Sequence, residues 1–75
     1  MKGKDQVVQQ LWETLRGTRA GEELQSIEYW KSDRYESEIV IIVGKNGNVI
    51  KMDIFYDDSF EAIEKIIKCV KEEFC

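Results

Sequence analysis

The stretch YESEIVIIVGKNGNVIKMDIFYDDSFEAIEKIIKCVKEEF, from Tyr35 to Phe74, decides the fold. It reads as strand, turn, strand and capped helix. In the first strand Tyr35, Ser37, Ile39, Ile41 and Val43 share one side, and Glu36, Glu38, Val40 and Ile42 share the other. In the second, Ile50, Met52, Ile54 and Tyr56 alternate with Val49, Lys51, Asp53 and Phe55. Between them lies Lys45-Asn46-Gly47-Asn48. Asn46 and Gly47 tolerate positive φ, which is what a tight hairpin turn demands. Asp57-Asp58-Ser59 then opens a helix, with Glu61 three residues after Asp58 to complete a capping box. Phe60, Ile63, Ile66, Ile67, Val70 and Phe74 fall on its apolar stripe, with Ala62 and Cys69 at the margin. Glu61–Lys65, Glu64–Lys68 and Lys68–Glu72 are spaced as ion pairs on the outer side.

Upstream, Val7, Val8, Leu11, Trp12 and Leu15 recur at helical spacing and predict a helix over residues 5–16. Asp5 is placed to cap it and Gly17 to end it. Residues 17–22 read as a loop, and Gln25 to Lys31, with Ile27, Tyr29 and Trp30, as a strand. Ser32-Asp33-Arg34 reads as the turn that follows. The expected fold class is therefore α+β: a two-layer αβββα domain over residues 1–75. Its core is a three-stranded antiparallel meander packed with N- and C-terminal helices.

Such a sheet is roughly 14 Å wide and a helix about 10 Å, so two helices crowd one face or divide between both. The core face is read as Ile27, Tyr29, Ile39, Ile41, Val43, Ile50, Met52, Ile54 and Tyr56. The other carries Trp30, Val40, Ile42, Val49 and Phe55 among Glu28, Glu38, Lys51 and Asp53, too apolar for a fully solvated face. The first reading is that the N-terminal helix covers it with Val8, Leu11, Trp12 and Leu15. The alternatives are a second copy of the chain or another partner.

The chain has 75 residues, no histidine, no proline and two cysteines, Cys69 and Cys75. Six positions apart on a helix, those cysteines point to different sides and are not expected to pair. That usage fits the cytoplasm. Lys2 and Lys4 precede no apolar segment of the kind a signal peptide needs. The run Ile39-Val40-Ile41-Ile42-Val43 is far short of the roughly 20 residues that span a bilayer, so no membrane association is expected. Neither a metal nor a cofactor is expected. Without histidine there is no Ser-His-Asp or Cys-His arrangement, and no glycine-rich phosphate loop is present. The expectation is a non-enzymatic protein.

Net charge is −4, and all of it lies in residues 35–75, where nine acids face five bases. That balance argues against general affinity for phosphate backbones. The leading functional expectation is a small binding or regulatory protein, touching another protein or a second copy of itself through Trp30, Val40, Ile42 and Phe55. One alternative is single-stranded nucleic-acid binding by the aromatic and basic cluster Trp30, Lys31, Arg34 and Tyr35. Another is an acidic inhibitor that fills a basic cleft of a nucleic-acid enzyme with Asp53, Asp57, Asp58, Glu61 and Glu64. A phage or mobile-element accessory protein fits the same size and charge.

Overall fold

The computed structural model describes residues 3–74. Element order is α1 (Lys4–Leu15), α2 (Arg19–Glu22), β1 (Leu24–Ser32), β2 (Ser37–Gly44), β3 (Val49–Asp53) and α3 (Ser59–Phe74). The strands form one antiparallel sheet in the order β1-β2-β3, flanked by the N- and C-terminal helices, as the αβββα pattern requires. Among the described residues, no helix is long and apolar enough to cross a membrane. Cys75, and with it the question of pairing with Cys69, lies outside the described residues.

Local chemistry explains most element ends. The α3 capping box is reciprocal: the Glu61 amide donates to Asp58 Oδ1 at 2.8 Å, and the Asp58 amide to Glu61 Oε1 at 3.2 Å. The β2–β3 turn is longer than the two-residue turn the Asn46-Gly47 pair suggests. Gly47 alone takes positive φ, at 92°, and its amide donates to the Gly44 carbonyl at 3.1 Å. This is the three-residue loop closed by a left-handed glycine. Asp5 does not cap α1. Gly3 stands at the cap with no side-chain bond, and Asp5 sits in the first turn, where its charge still favours the positive end of the helix.

The expected loop at residues 17–22 contains the short helix α2. Thr18 serves both neighbours: its hydroxyl donates to the Leu15 carbonyl at 2.7 Å and accepts from the Gly21 amide at 3.2 Å. α2 then lies so close to the end of α1 that a Cβ on Gly21 would sit 1.7 Å from the Leu15 carbonyl oxygen.

Both helices pack on one face of the sheet. A single core joins Val8 of α1 to Leu24 and Ile27 of β1, Val40 and Ile42 of β2, Ile54, and Ala62, Ile66, Val70 and Phe74 of α3. Ile42, Ile54 and Ile66 have no exposed surface, and burying each contributes about 2–3 kcal/mol. Leu24 and Ile27 are three apart yet share the core, because the register shifts between Leu24 and Ser26 and a bulge absorbs one residue.

Three face assignments read from the sequence are corrected. Val40 and Ile42 belong to the core, and Ile39, Ile41 and Val43 to the opposite face. α1 does not cover that opposite face. Phe55 and Tyr56 lie beyond the end of β3, and Tyr56 is 90% exposed, as is most of Phe60 on α3. The β1–β2 turn is the cause of the first. Ser32 pairs with Ser37, so residues 33–36 form a four-residue loop and Tyr35 is in the turn, not the strand. An even loop pairs odd positions of β1 with even positions of β2: Ile27 with Ile42, Tyr29 with Val40. A shift of one residue turns every side chain to the other face.

That loop closes on Glu36, a non-glycine residue at φ 46°. Left-handed backbone costs an L-residue about 1–2 kcal/mol, and glycine returns part of the relief as unfolded-state entropy. Glu36→Gly is expected to raise stability by about 0.5 kcal/mol. Gly21→Ala should lower it by at least about 2 kcal/mol, since backbone must move to admit the methyl group. Urea unfolding of the two variants beside wild type checks both signs.

Candidate functional site

The face turned away from the helices is the candidate site. Register builds it from three rungs across the strands: Ser26–Val43–Val49, Glu28–Ile41–Lys51 and Trp30–Ile39–Asp53. Aliphatic side chains fill the central column. Trp30 (59% exposed) and Val49 (54% exposed) stand beside it on the edge strands. Ile39, Ile41 and Val43 are half-buried between their neighbours on β1 and β3, and among the described residues no element lies over them. Glu28, Lys51 and Asp53 are exposed at the margins of the same face.

Of the residues first expected to make contacts, Trp30 alone is an exposed member of this face. Val40 and Ile42 have no exposure, and Phe55 packs edge-on against Tyr56 with ring centroids 4.9 Å apart. Ile39, Ile41 and Val43 are the residues the sequence reading left in the core. The signal that would have found them is the number of residues in the β1–β2 turn.

The aromatic and basic cluster is not one surface. Trp30 faces away from the helices. Lys31 pairs across the sheet with Glu38 on the helix side and holds Asp33 at 3.8 Å. Arg34 and Tyr35 sit in the turn, with the guanidinium 5.5 Å from the Tyr35 ring centroid. The acidic residues are likewise divided. Asp53 accepts from the Phe55 amide at 2.8 Å, Asp58 and Glu61 cap α3, and Asp57 is mostly buried with its carboxylate 2.6 Å from Lys65. Glu64 lies on the outer side of α3 beside Ile67 and Lys68. Among the described residues, no three His, Cys, Asp or Glu side chains gather to hold a metal ion.

A polar cluster at the rim of the core holds the scaffold beneath this face. Glu38 is buried on the helix side of β2. Tyr29 donates to its Oε2 at 2.6 Å, and Lys4 of α1 meets its Oε1 at 3.2 Å. Lys4 also donates to the carbonyls of Ile54 at 3.0 Å and Phe55 at 3.2 Å, which occupies all three of its protons. Burial alone would raise the Glu38 pKa. The Tyr29 hydrogen bond and the Lys4 bond and charge, with the charge of Lys31, outweigh it and hold the carboxyl below its usual value. Burial, then the bond to and charge of Glu38, push the Tyr29 phenol above its usual range. Burial, with the charges of Glu73 and Glu72, also pushes up the Cys69 thiol, which disfavours its nucleophilic form.

In comparison with known proteins, no family model matches the chain, and no curated protein or solved structure matches it either.

The rim cluster makes stability depend on pH at both ends. A lowered Glu38 pKa contributes stability above the ordinary carboxyl value of about 4.3, and that contribution is lost as pH falls through the folded value. A raised Tyr29 pKa contributes stability below about 10 that is lost as pH climbs beyond it. Glu38→Gln should cost about 2 kcal/mol at neutral pH and flatten the acid limb; Tyr29→Phe should cost about 1–2 kcal/mol and flatten the alkaline limb. Unfolding free energies measured across pH test the assignment, and an unchanged acid limb in Glu38→Gln would remove it.

Proposed function

We propose that this chain is a non-enzymatic binding module that acts in the cytoplasm by docking another protein chain on the open face of its sheet. The observation that carries the reading is the aliphatic column Ile39, Ile41 and Val43, with Trp30 and Val49 beside it and no element of the described residues over it. A soluble domain seldom leaves a continuous apolar strip uncovered unless something docks there. A large aromatic at the edge of such a strip is the type of residue that dominates binding energy. The spacing of the two cysteines, which disfavours a bridge between them, fits a reducing compartment. The nucleic-acid reading is weaker, because Lys31 lies on the other side of the sheet from Trp30, Arg34 and Tyr35 sit in the turn, and Glu28 is the neighbour of Trp30 on its own side of β1.

Retention of interacting protein from the native cell, followed by hydrogen exchange of the complex, tests the reading. Ile41→Arg and Trp30→Ala should each reduce retention at least about tenfold. Phe60→Ser, at a still more exposed aromatic on α3, should leave it intact. Protection should fall on β2 between Ile39 and Val43. Retention that survives Ile41→Arg would overturn the reading. So would salt-sensitive quenching of tryptophan fluorescence by single-stranded oligonucleotide, lost in Trp30→Ala, which would favour nucleic acid instead.

A further inference from the structure

We propose that the occupant of the open face is a second copy of this chain, the two sheets packing face to face about a two-fold axis that runs along β2. This rests on the reading of that face as a docking surface and names its partner. The argument is charge complementarity. The middle rung is Glu28 on one edge strand, Ile41 in the centre and Lys51 on the other edge strand. It carries opposite charges at its two ends.

A two-fold axis lying in the interface along β2 exchanges the two edges of the sheet but keeps each residue at its own level. β1 of one copy then lies over β3 of the other. Glu28 of each copy faces Lys51 of the other, so the dimer makes this pair twice. Ile41 meets Ile41 at the centre, with Ile39 and Val43 meeting their own copies on either side. Trp30 comes over Asp53. The Asp53 Oδ1 accepts from the Phe55 amide, and in the dimer the other carboxylate oxygen accepts from the indole N–H.

The alternative axis, across the strands, sets Glu28 against Glu28 and Lys51 against Lys51. Like charges brought together at a desolvating interface oppose association. Only the axis along β2 satisfies both the apolar column and the charges. Stacked sheets lie about 10 Å apart and are rotated by about 30°. With the crossing point at Ile41, that rotation displaces the charged ends of the middle rung by only about 2 Å, which long Glu and Lys side chains absorb. The rung that carries the complementarity is the one least disturbed by the twist.

The face is small. Three strands by five residues give a footprint of about 14 by 17 Å, well below the roughly 800 Å² that each partner buries in a standard interface. The dimer therefore belongs with weak, transient interfaces.

Sedimentation equilibrium from about 10 µM to about 1 mM covers the range such a small interface needs. Wild type should pass from monomer to dimer. Glu28→Lys and Lys51→Glu should each raise the dissociation constant about tenfold, and the double variant should return it to within about threefold of wild type. Both positions are exposed, and circular dichroism verifies the fold; Glu28→Gln and Lys51→Gln give the same order with a smaller chemical change. Glu64→Lys, which alters net charge as much but lies on α3, should have no effect. A wild type that stays monomeric at about 1 mM overturns the second-copy inference. The docking-surface reading then survives only if Ile41→Arg still abolishes retention of another protein. A dimer broken by Ile41→Arg but not rescued by the charge exchange overturns the inference and leaves that reading standing. A dimer indifferent to all these changes forms through another surface and overturns the inference; retention of another protein in Ile41→Arg then decides the docking-surface reading.

Discussion

The structure depends on the parity of the β1–β2 hairpin. Four residues, Asp33 to Glu36, separate the paired Ser32 and Ser37, and Glu36 closes the loop in left-handed backbone. This sets even positions of β2 toward the helices. Val40 and Ile42 enter the core, Glu38 is buried at its rim, and Ile39, Ile41 and Val43 are turned outward. A loop one residue shorter or longer would reverse all of these, because the side-chain period of a strand is two. The backbone strain at Glu36 and the burial of the Glu38 carboxylate are local costs of one register. They are offset by the aliphatic side chains that this register brings together.

The rim cluster shows how the N-terminal helix is recruited to that register. Once Glu38 points inward it needs partners, since an ionised carboxylate out of water is costly unless paired. Tyr29 comes from the adjacent strand, one rung away from the direct cross-strand partner, and Lys4 from the first turn of α1. Lys4 at the same time takes the Ile54 and Phe55 carbonyls where the chain leaves β3. One ammonium group thus ties the start of α1 to β2 and to the end of β3. With Val8 in the shared core, this keeps α1 on the same side of the sheet as α3, and among the described residues the other side receives no helix.

The order of the main elements was legible where a boundary carries its own chemistry, as at Gly47 in the hairpin and at Asp58 and Glu61 at the head of α3; α2 was read as loop. The α3 core stripe was legible at Ile66, Val70 and Phe74, where spacing alone identifies the face. β2 was not, because its two sides are almost equally apolar and alternation cannot choose between them. The choice is made by its neighbours through the turn, and Tyr35, a good strand former, disguised the turn as strand. The candidate site inherited that ambiguity. Trp30 was singled out because β1 is polar on its outer side at Glu28, whereas Val40 and Ile42 were placed outside only by the wrong parity. Asp57, Asp58 and Glu61 looked like a patch because a helix start concentrates carboxylates for its own sake. Lys4, Tyr29 and Glu38 gave no local signal, since they lie far apart in the chain.

An uncovered aliphatic column raises the question of what restrains it from indiscriminate association. Both neighbours of the column are edge strands, and such edges commonly carry charges that discourage continuous pairing. Here Glu28 and Lys51 occupy the two edges at the level of Ile41 and project onto the apolar face itself. A generic apolar surface that covers this face must strip water from both charges without replacing it. A surface that presents the opposite sign at each edge does not. The same two residues therefore keep the face compatible with water and narrow the set of partners it accepts. In the proposed dimer that narrowing extends to geometry, because one of the two symmetric orientations opposes like charges and the other pairs unlike ones. Specificity on this small domain then arises less from the apolar column, which would accept many partners, than from the charged pair set on either side of it.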